Sequence, residues 1–160
     1  MNDKVEKLIQ SLNLSPHSEG GYFRETYRST ETAYISPKYQ GLRNLNTAIY
    51  YLLTKNDISK FHKLKCDEMW HYYDGGILSV YILNRQGKLE VIELGNGNFQ
   101  VLVKKEQWFA ARVTQGEYVL CGCTTAPGFE YSDFEVAEKE TLLNQFPEYE
   151  KFLMNFFNGF

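Results

Sequence analysis

Short runs of β-branched and aromatic residues, about nine of them, follow one another between positions 22 and 125 and constrain the fold more than any other feature. Turn-forming residues separate them, for example Asp74-Gly75-Gly76, Gly95-Asn96-Gly97-Asn98 and Gln115-Gly116. Strands of this length and spacing are typical of all-β sandwiches and barrels. The runs cover residues 22–28, 46–54, 60–65, 69–73, 78–83, 89–94, 99–104, 107–113 and 118–125.

Helical periodicity is confined to the two ends of the chain. Apolar residues in the first dozen positions recur at helical spacing and predict a short N-terminal helix over about residues 3–13. The same spacing returns over about residues 135–158, where Pro147 suits the first turn of a second helix. We therefore predict one domain over residues 1–160, with its barrel strands over about 20–128.

Charge and cysteine content exclude several classes of partner. Lys and Arg number 17 against 20 Asp and Glu, so the net charge of -3 provides no positive field for nucleic acid or anionic lipid. No apolar segment has the length of a membrane span or the pattern of a signal peptide. Three cysteines do not make a disulfide framework. We expect a cytoplasmic protein with neither nucleic acid nor membrane as partner.

The candidate catalytic residues lie in the segment between positions 62 and 72. Alternation along a strand places His62 and Leu64 on one face, and after a turn the next strand can place Glu68, Trp70 and Tyr72 on that same face. An imidazole beside a carboxylate inside an aromatic-walled cavity is a candidate general acid/base pair. We predict catalytic roles for the His and the Glu, and ligand contacts for the two aromatic residues. The alternative is a core histidine bonded to a carbonyl, among aromatic residues that are plain core.

Residues 19–28 form a second candidate segment, for which a structural and a functional interpretation have similar weight. Within the functional one, pairing with a second subunit is favoured over ligand contact. The segment reads as an edge strand whose arginines face water, or as a strand that crosses the cavity mouth with Tyr22 and Glu25 as ligand contacts. It can also add to the sheet of a second subunit. Strand alternation places the even-numbered residues on one face and the odd-numbered residues on the other. The first face carries Tyr22, Arg24, Thr26 and Arg28, and the second carries Phe23, Glu25 and Tyr27.

Four segments, taken in order, resemble the Cupin_5 family of the RmlC-like cupins: residues 16–28, 61–71, 108–111 and 124–129. His62, Glu68 and Gly75 also match the first cupin motif, with Asn56 in place of its leading glycine, and residues 104–109 look like the second motif. The resemblance implies a double-stranded β-helix, or jelly roll, that holds one ligand and commonly pairs as a homodimer.

The resemblance also bears on metal binding. The positions at which a typical cupin carries three His and one Glu correspond here to His62, Leu64, Glu68 and Phe109. Two of these four are apolar, and His71 points to the opposite face of a regular strand. We therefore expect no metal cofactor, with a divalent ion at His62 and Glu68 as the weaker alternative. Phe109 becomes a candidate ligand contact.

Function stays open between hypotheses of different classes. The leading one is a cupin that binds a small polar metabolite, sugar-like or nucleotide-like, and acts as a metal-independent isomerase or epimerase. Glu68 or His62 would take a proton, and a tyrosine such as Tyr22 or Tyr72 would return it. The second is a non-catalytic binding module, favoured by the apolar residues at two metal-ligand positions. A metal-dependent enzyme is the third.

Overall fold

Antiparallel strands make up most of this computed structural model, which describes residues 3–39 and 41–157. The strands are β1 (Ser15–Pro16), β2 (Tyr22–Arg28), β3 (Thr32–Ala33), β4 (Arg43–Asn44), β5 (Thr47–Thr54), β6 (Ile58–Leu64), β7 (Asp67–Leu83), β8 (Leu89–Leu94), β9 (Gln100–Val103), β10 (Trp108–Ala126) and β11 (Phe134–Val136). The helices are α1 (Asp3–Ser11), α2 (Lys139–Gln145) and α3 (Glu150–Phe157), and 3₁₀ turns span Tyr131–Asp133 and Pro147–Tyr149.

β7 and β10 are each one long strand, although the sequence pattern predicts two shorter strands in place of each. The glycine-containing segments at 74–76 and 115–116 predict turns, yet both strands run straight through them as one antiparallel pair with three register shifts. The backbones pass so closely that a Cβ on Gly76 would lie 1.8 Å from the Gln115 carbonyl oxygen. These glycines therefore permit close approach and bending within a long pair, not chain reversal.

The sheet curls because β10 changes partners along its length. Its first part lies between β6 and the end of β7, and its second part lies between β5 and the beginning of β7. Within the described ranges the strand order is β1-β2-β5-β10-β6-β11, with β8 and β9 added on β7. The predicted all-β jelly roll is confirmed.

Apolar side chains fill one end of the curled sheet, including Leu78, Val80, Ile82 and Val119. The other end is left for the cavity described below.

The helices cover the outer faces of the sheet, as their apolar periodicity predicts. α1 ends at Ser11, Asn13 adopts a left-handed φ of 52°, and the helix packs over Leu52 of β5. α2 and α3 bury Leu142 and Leu153 against β6, β7 and β10. Pro147 opens the 3₁₀ turn that leads into α3, near the predicted helix start. No helix among the described residues is long and apolar enough to cross a bilayer.

The seating of α3 on the sheet makes a testable prediction. Leu153 is fully buried beneath α3, so Leu153→Ala should lower the free energy of unfolding by about 2–5 kcal/mol through lost burial and the cavity left behind. Leu102 on β9 is 41% exposed, and Leu102→Ala should cost much less. Urea unfolding followed by tryptophan fluorescence measures both. Equal losses for the two variants would contradict this packing of α3.

Candidate functional site

A cavity of about 350 Å³ opens at the end of the sheet that the apolar core leaves unfilled. This volume lies near the lower end of the range of small-molecule sites, about 300–1,000 Å³. Strands β2, β5, β6, β7 and β10 form its wall, and the segments 17–19 and 129–131 complete it. Its lining is His17, Glu19, Phe23, Glu25, Arg28, Thr47, Ile49, Tyr51, His62, Leu64, Glu68, Trp70, Cys123, Thr125, Phe129, Glu130 and Tyr131.

Glu19 reaches the cavity because two glycines let the chain press against the sheet. Gly20 has a φ of +122°, and a Cβ there would lie 2.3 Å from the Ile58 carbonyl oxygen. Gly21 has a φ of +72°, and a Cβ there would lie 2.5 Å from the Leu52 carbonyl oxygen. Only glycine tolerates both the backbone conformation and the approach. The segment before β2 is thereby drawn against β5 and β6, with Glu19 turned inward.

His62 sits in the polar wall of the cavity in a defined tautomer. Its Nδ1 lies 2.6 Å from the Lys60 carbonyl oxygen, which can only accept, so Nδ1 carries the proton. The same nitrogen lies 3.4 Å from Glu19 Oε2. Burial lowers the pKa of His62, so the ring is neutral at pH 7 and Nε2 holds a lone pair. No group among the described residues hydrogen-bonds to Nε2.

Two carboxyl groups share this wall without a basic side chain to neutralise them. Glu68 is 8% exposed, and its Oε2 accepts a hydrogen bond of 2.8 Å from the Trp70 indole. Glu19 is 6% exposed, and its Oε2 accepts one of 2.8 Å from the Ser59 hydroxyl. Burial raises the pKa of each carboxyl to about 7, since desolvation disfavours the charged form. Near neutral pH both groups are therefore mixtures of acid and base.

His17 and Tyr51 complete the polar wall. The backbone N–H of Glu19 donates to His17 Nδ1 at 3.2 Å, which leaves the proton of the neutral ring on Nε2. Burial lowers the pKa of His17, while the Tyr51 hydroxyl donates to the Gly20 carbonyl at 2.8 Å. Burial also raises the pKa of Tyr51 well above its ordinary value, so this phenol remains protonated.

Arg28 spans the cavity mouth because β2 contains a bulge at Thr26. The register with β5 shifts between Glu25 and Tyr27, which turns Arg28 to the face that carries Glu25. Its guanidinium bonds Glu25 twice, at 3.0 and 2.8 Å, and Glu130 at 3.0 Å. Strict alternation predicts the opposite face, and that prediction is wrong after Thr26.

The structure brings four of the predicted site residues together: His62, Glu68, Trp70 and Glu25 all line the cavity. His62 and Glu68 lie close enough for the charge of each to oppose the effect of burial on the pKa of the other, but no hydrogen bond joins the two side chains. Glu68 bonds the indole of Trp70, and the carboxylate beside His62 is Glu19.

The structure places three other predicted residues away from the cavity. Tyr22 packs on the outer face beneath α1, with Leu52 and Tyr118, because it lies on the opposite side of β2 from Phe23. Tyr72 points inward but beyond the cavity, into the filled core, and its hydroxyl donates to the Gly75 carbonyl. Phe109 is core behind His62, with the two ring centres 4.0 Å apart.

The sequence pattern does not identify several of the residues that line the cavity. Glu19 begins the second candidate segment without a role of its own, His17 precedes that segment, and Tyr51 lies within a predicted strand. The Gly20-Gly21 pair after Glu19 marks the close approach. The segment 129–131 continues into the mouth, although Pro127-Gly128-Phe129 reads as a simple exit turn. Its position depends on long-range bonds such as Arg28 to the Phe129 carbonyl, 3.1 Å, which no local pattern contains.

Comparison with known proteins agrees with this architecture. The family model described as Cupin_5, cupin superfamily (DUF985), matches residues 6–137. The chain belongs to the Cupin_5 family. This Cupin_5 chain is 30% identical over 147 residues to the uncharacterized protein YML079W of Saccharomyces cerevisiae, covering 81% of the chain and 73% of the yeast protein.

Two solved structures share the fold over almost the full length. Protein SO0799 from Shewanella oneidensis superposes with a TM-score of 0.83 at 33% identity, covering 94% of this chain and 95% of that one. A hypothetical protein from Leishmania major superposes with a TM-score of 0.87 at 28% identity, covering 94% and 97%. The names of these relatives carry no activity, so the function has to be argued from the site.

The cavity does not present the metal-ligand set of a typical cupin. Leu64 lines it where a donor is expected, Phe109 stacks on His62, and His71 lies on the outer face with its Nε2 2.9 Å from the Thr124 hydroxyl. Within residues 3–39 and 41–157, no three His, Cys, Asp or Glu side chains are arranged to hold a metal ion. The donor set therefore does not fit a metal ion.

Burial of Glu68 predicts a pH-dependent stability difference. The folded-state pKa is raised from 4.5 to about 7, so the stability linked to this carboxyl is present below pH 4.5 and lost as pH rises toward 7. Between pH 4.5 and 8, wild type should lose on the order of 3 kcal/mol relative to Glu68→Gln. Chemical unfolding across this range measures the difference.

The control for that experiment is Glu93→Gln, which changes an exposed glutamate on β8. Its stability difference from wild type should not change with pH. A Glu68→Gln difference that is equally flat would show that Glu68 ionises as an exposed carboxyl does.

Proposed function

We propose that this protein is an acid–base enzyme that isomerises or epimerises a small, polar, sugar-like metabolite without a metal. One observation carries the proposal: neutral His62, whose Nε2 has no hydrogen-bond partner among the described residues, shares the cavity with two buried carboxyl groups whose pKa is about 7. A base and an acid are therefore present together at neutral pH, which is what a reversible proton transfer needs.

The proton path follows from the hydrogen bonds. His62 Nε2 takes a proton from a substrate carbon, and the electron pair of the broken C–H bond passes into the adjacent carbonyl to form an enolate. The Nδ1 proton, held toward the Lys60 carbonyl and Glu19, keeps the ring oriented and stabilises the imidazolium that forms. In epimerisation, protonated Glu68 returns a proton to the same carbon. In isomerisation it returns the proton to the neighbouring carbon, and the hydroxyl proton of the enediolate moves to the enolate oxygen as the new carbonyl forms. Exchange of protons with solvent restores both groups.

The acid in this scheme is a carboxyl group, not a tyrosine. Tyr22 and Tyr72 lie outside the cavity lining, and the Tyr51 hydroxyl is engaged by the Gly20 carbonyl with a pKa raised by burial. A proton donor of pKa near 7 transfers its proton far more readily at neutral pH than a phenol of raised pKa. This favours Glu68 over the tyrosines.

The shape and lining of the cavity favour a sugar-like ligand. About 350 Å³ accommodates a molecule of monosaccharide size, and the wall is mainly apolar with a small number of polar groups. Trp70, Phe23 and Tyr51 can pack on the apolar faces of a sugar ring, while Thr47 and Thr125 present hydroxyls to its edge.

A non-catalytic binding module is the second candidate. Leu64 and Phe109 stand where metal-binding cupins carry histidines, which supports a cavity kept for recognition alone. The two candidates differ in one observable, because only the enzyme exchanges a carbon-bound hydrogen of its ligand with solvent.

Deuterium exchange therefore tests the proposal. Neutral, charged and phosphorylated sugars are screened by thermal shift, and each stabilising compound is incubated with the protein in D₂O. We expect incorporation of deuterium at carbon, reduced at least about 100-fold in Glu68→Gln and in His62→Gln, because one proton-transfer group is lost.

Glu93→Gln should exchange at the wild-type rate and serves as the matched control. Stabilisation without exchange in wild type would favour the binding module. Exchange that is undiminished in Glu68→Gln would remove this residue from the mechanism.

We also propose that the protein forms a homodimer through its N-terminal sheet edge. β1 pairs only with Tyr22 and Phe23 of β2, so within the described residues the outer edge of residues 24–28 has no strand partner, and Tyr27 there is 54% exposed. Light scattering should give twice the chain mass of 18.7 kDa. A single species at the chain mass would contradict the dimer.

A further inference from the structure

Acidic groups outnumber basic ones in the cavity wall. Glu19 and Glu68 lie in the enclosed part, and Glu25 and Glu130 lie at the mouth. Among the described lining residues, Arg28 is the one Lys or Arg side chain, and the two histidines are neutral at pH 7 because burial lowers the pKa of each. Such a wall favours a ligand with positive charge.

Arg28 has no donor left for an anion. A guanidinium carries five N–H groups, and all five are used: Nε bonds Glu25, Nη1 bonds Asn44 and Glu130, and Nη2 bonds Glu25 and the Phe129 carbonyl. Recognition of a phosphate or carboxylate by arginine requires free N–H groups, preferably two side by side. The cavity therefore lacks the group that an anionic ligand would need.

The enclosed part of the cavity contains three hydrogen-bond acceptors without a donor in the part of the chain that the structure describes. Glu68 Oε1, Glu19 Oε1 and His62 Nε2 have no hydrogen-bond partner among the described residues, and each side chain is more than nine-tenths buried. These three atoms face the cavity space, since the enclosed side-chain atoms without a hydrogen-bond partner in the described ranges are Arg43 Nε and Asp133 Oδ2. A ligand that donates hydrogen bonds can therefore reach them. Aromatic faces of Trp70 and Tyr51 beside them suit a cation as well.

We infer that the ligand of this cavity carries a protonated amine, held between Glu19 and Glu68, and that phosphorylated and carboxylated metabolites are excluded. The ligand class is an amino sugar or amino polyol. The inference rests on the proposed site and narrows its ligand from sugar-like or nucleotide-like compounds to amine-bearing ones.

Binding of an ammonium group should be coupled to proton release. Burial raises the pKa of Glu19 and Glu68 to about 7, and a cation between them lowers both. With an amine bound, Glu68 therefore carries the proton that the proposed reaction uses in a smaller fraction of molecules. The other charged or titratable groups of this wall are His17, Glu25, Arg28, Tyr51, His62, Cys123, Glu130 and Tyr131. Among these, Arg28 is already paired, Tyr51 is held protonated, and the histidines are neutral, so affinity for the amine should rise from pH 6 to pH 8.

Three six-carbon probes that differ in one terminal group test the inference: D-glucamine with an ammonium, D-sorbitol with a hydroxyl and D-gluconate with a carboxylate. Titration calorimetry at pH 8, in buffers free of primary amines, should give at least about tenfold tighter binding for glucamine than for either analogue. Glu68→Gln and Glu19→Gln should each remove about tenfold of that preference, and Glu93→Gln should keep it. Two buffers of different ionisation enthalpy should reveal proton release at pH 7.

Glucamine binding no tighter than both analogues, or no binding by any of the three, would overturn the inference. Equal preference in wild type and in both glutamine variants would overturn it as well. The proposed reaction fails separately: a neutral sugar that exchanges deuterium in a Glu68-dependent way refutes the amine and supports the enzyme. Tight amine binding without exchange supports the amine and refutes the enzyme.

Discussion

The pairing of β7 with β10 is the interaction on which the rest of the molecule depends. These strands remain together over almost their full lengths, and each register shift bends the pair further. β6 and β5 pair one after the other along the edge of β10 that lies opposite β7, so the bend turns them relative to each other and curls the sheet. Glu68 and Trp70 of β7, with Cys123 of β10, face the cavity because this pair fixes their register.

Desolvation gives the cavity its chemical character. The protein buries two carboxyl groups and an imidazole without a neutralising cation, an arrangement that costs stability. The same cost brings the pKa of each carboxyl into the physiological range and keeps the imidazole neutral. Elsewhere in the protein a buried charge is neutralised by an opposite charge, because Arg43 and Asp133 are both buried and form an ion pair. Sites that hold uncompensated charge are characteristic of binding or catalysis.

The sequence predicts the fold class and part of the site, because those features follow from local periodicity and an ordered set of motifs. Alternation correctly turns His62, Glu68 and Trp70 inward and His71 outward. Alternation fails at Arg28, because one bulged residue in β2 moves Arg28 to the other face of the strand. It fails also at Gly76, where the predicted turn is a close approach of two paired strands. It cannot find Glu19, whose inward position depends on the distant carbonyls of Ile58 and Leu52. Long-range contacts of this kind leave no periodic trace.

The bonds of Arg28 to the segment 129–131 also affect how the site forms. They join residues separated by 101 and 102 positions, so the mouth is made from the beginning and the end of the strand region. A chain emerging from the ribosome presents Glu19, His62 and Glu68 long before Glu130 is synthesised. Until then Arg28 lacks the Phe129 carbonyl and the Glu130 carboxylate that accept two of its hydrogen bonds. The mouth of the cavity is therefore completed only when the last part of the fold is in place.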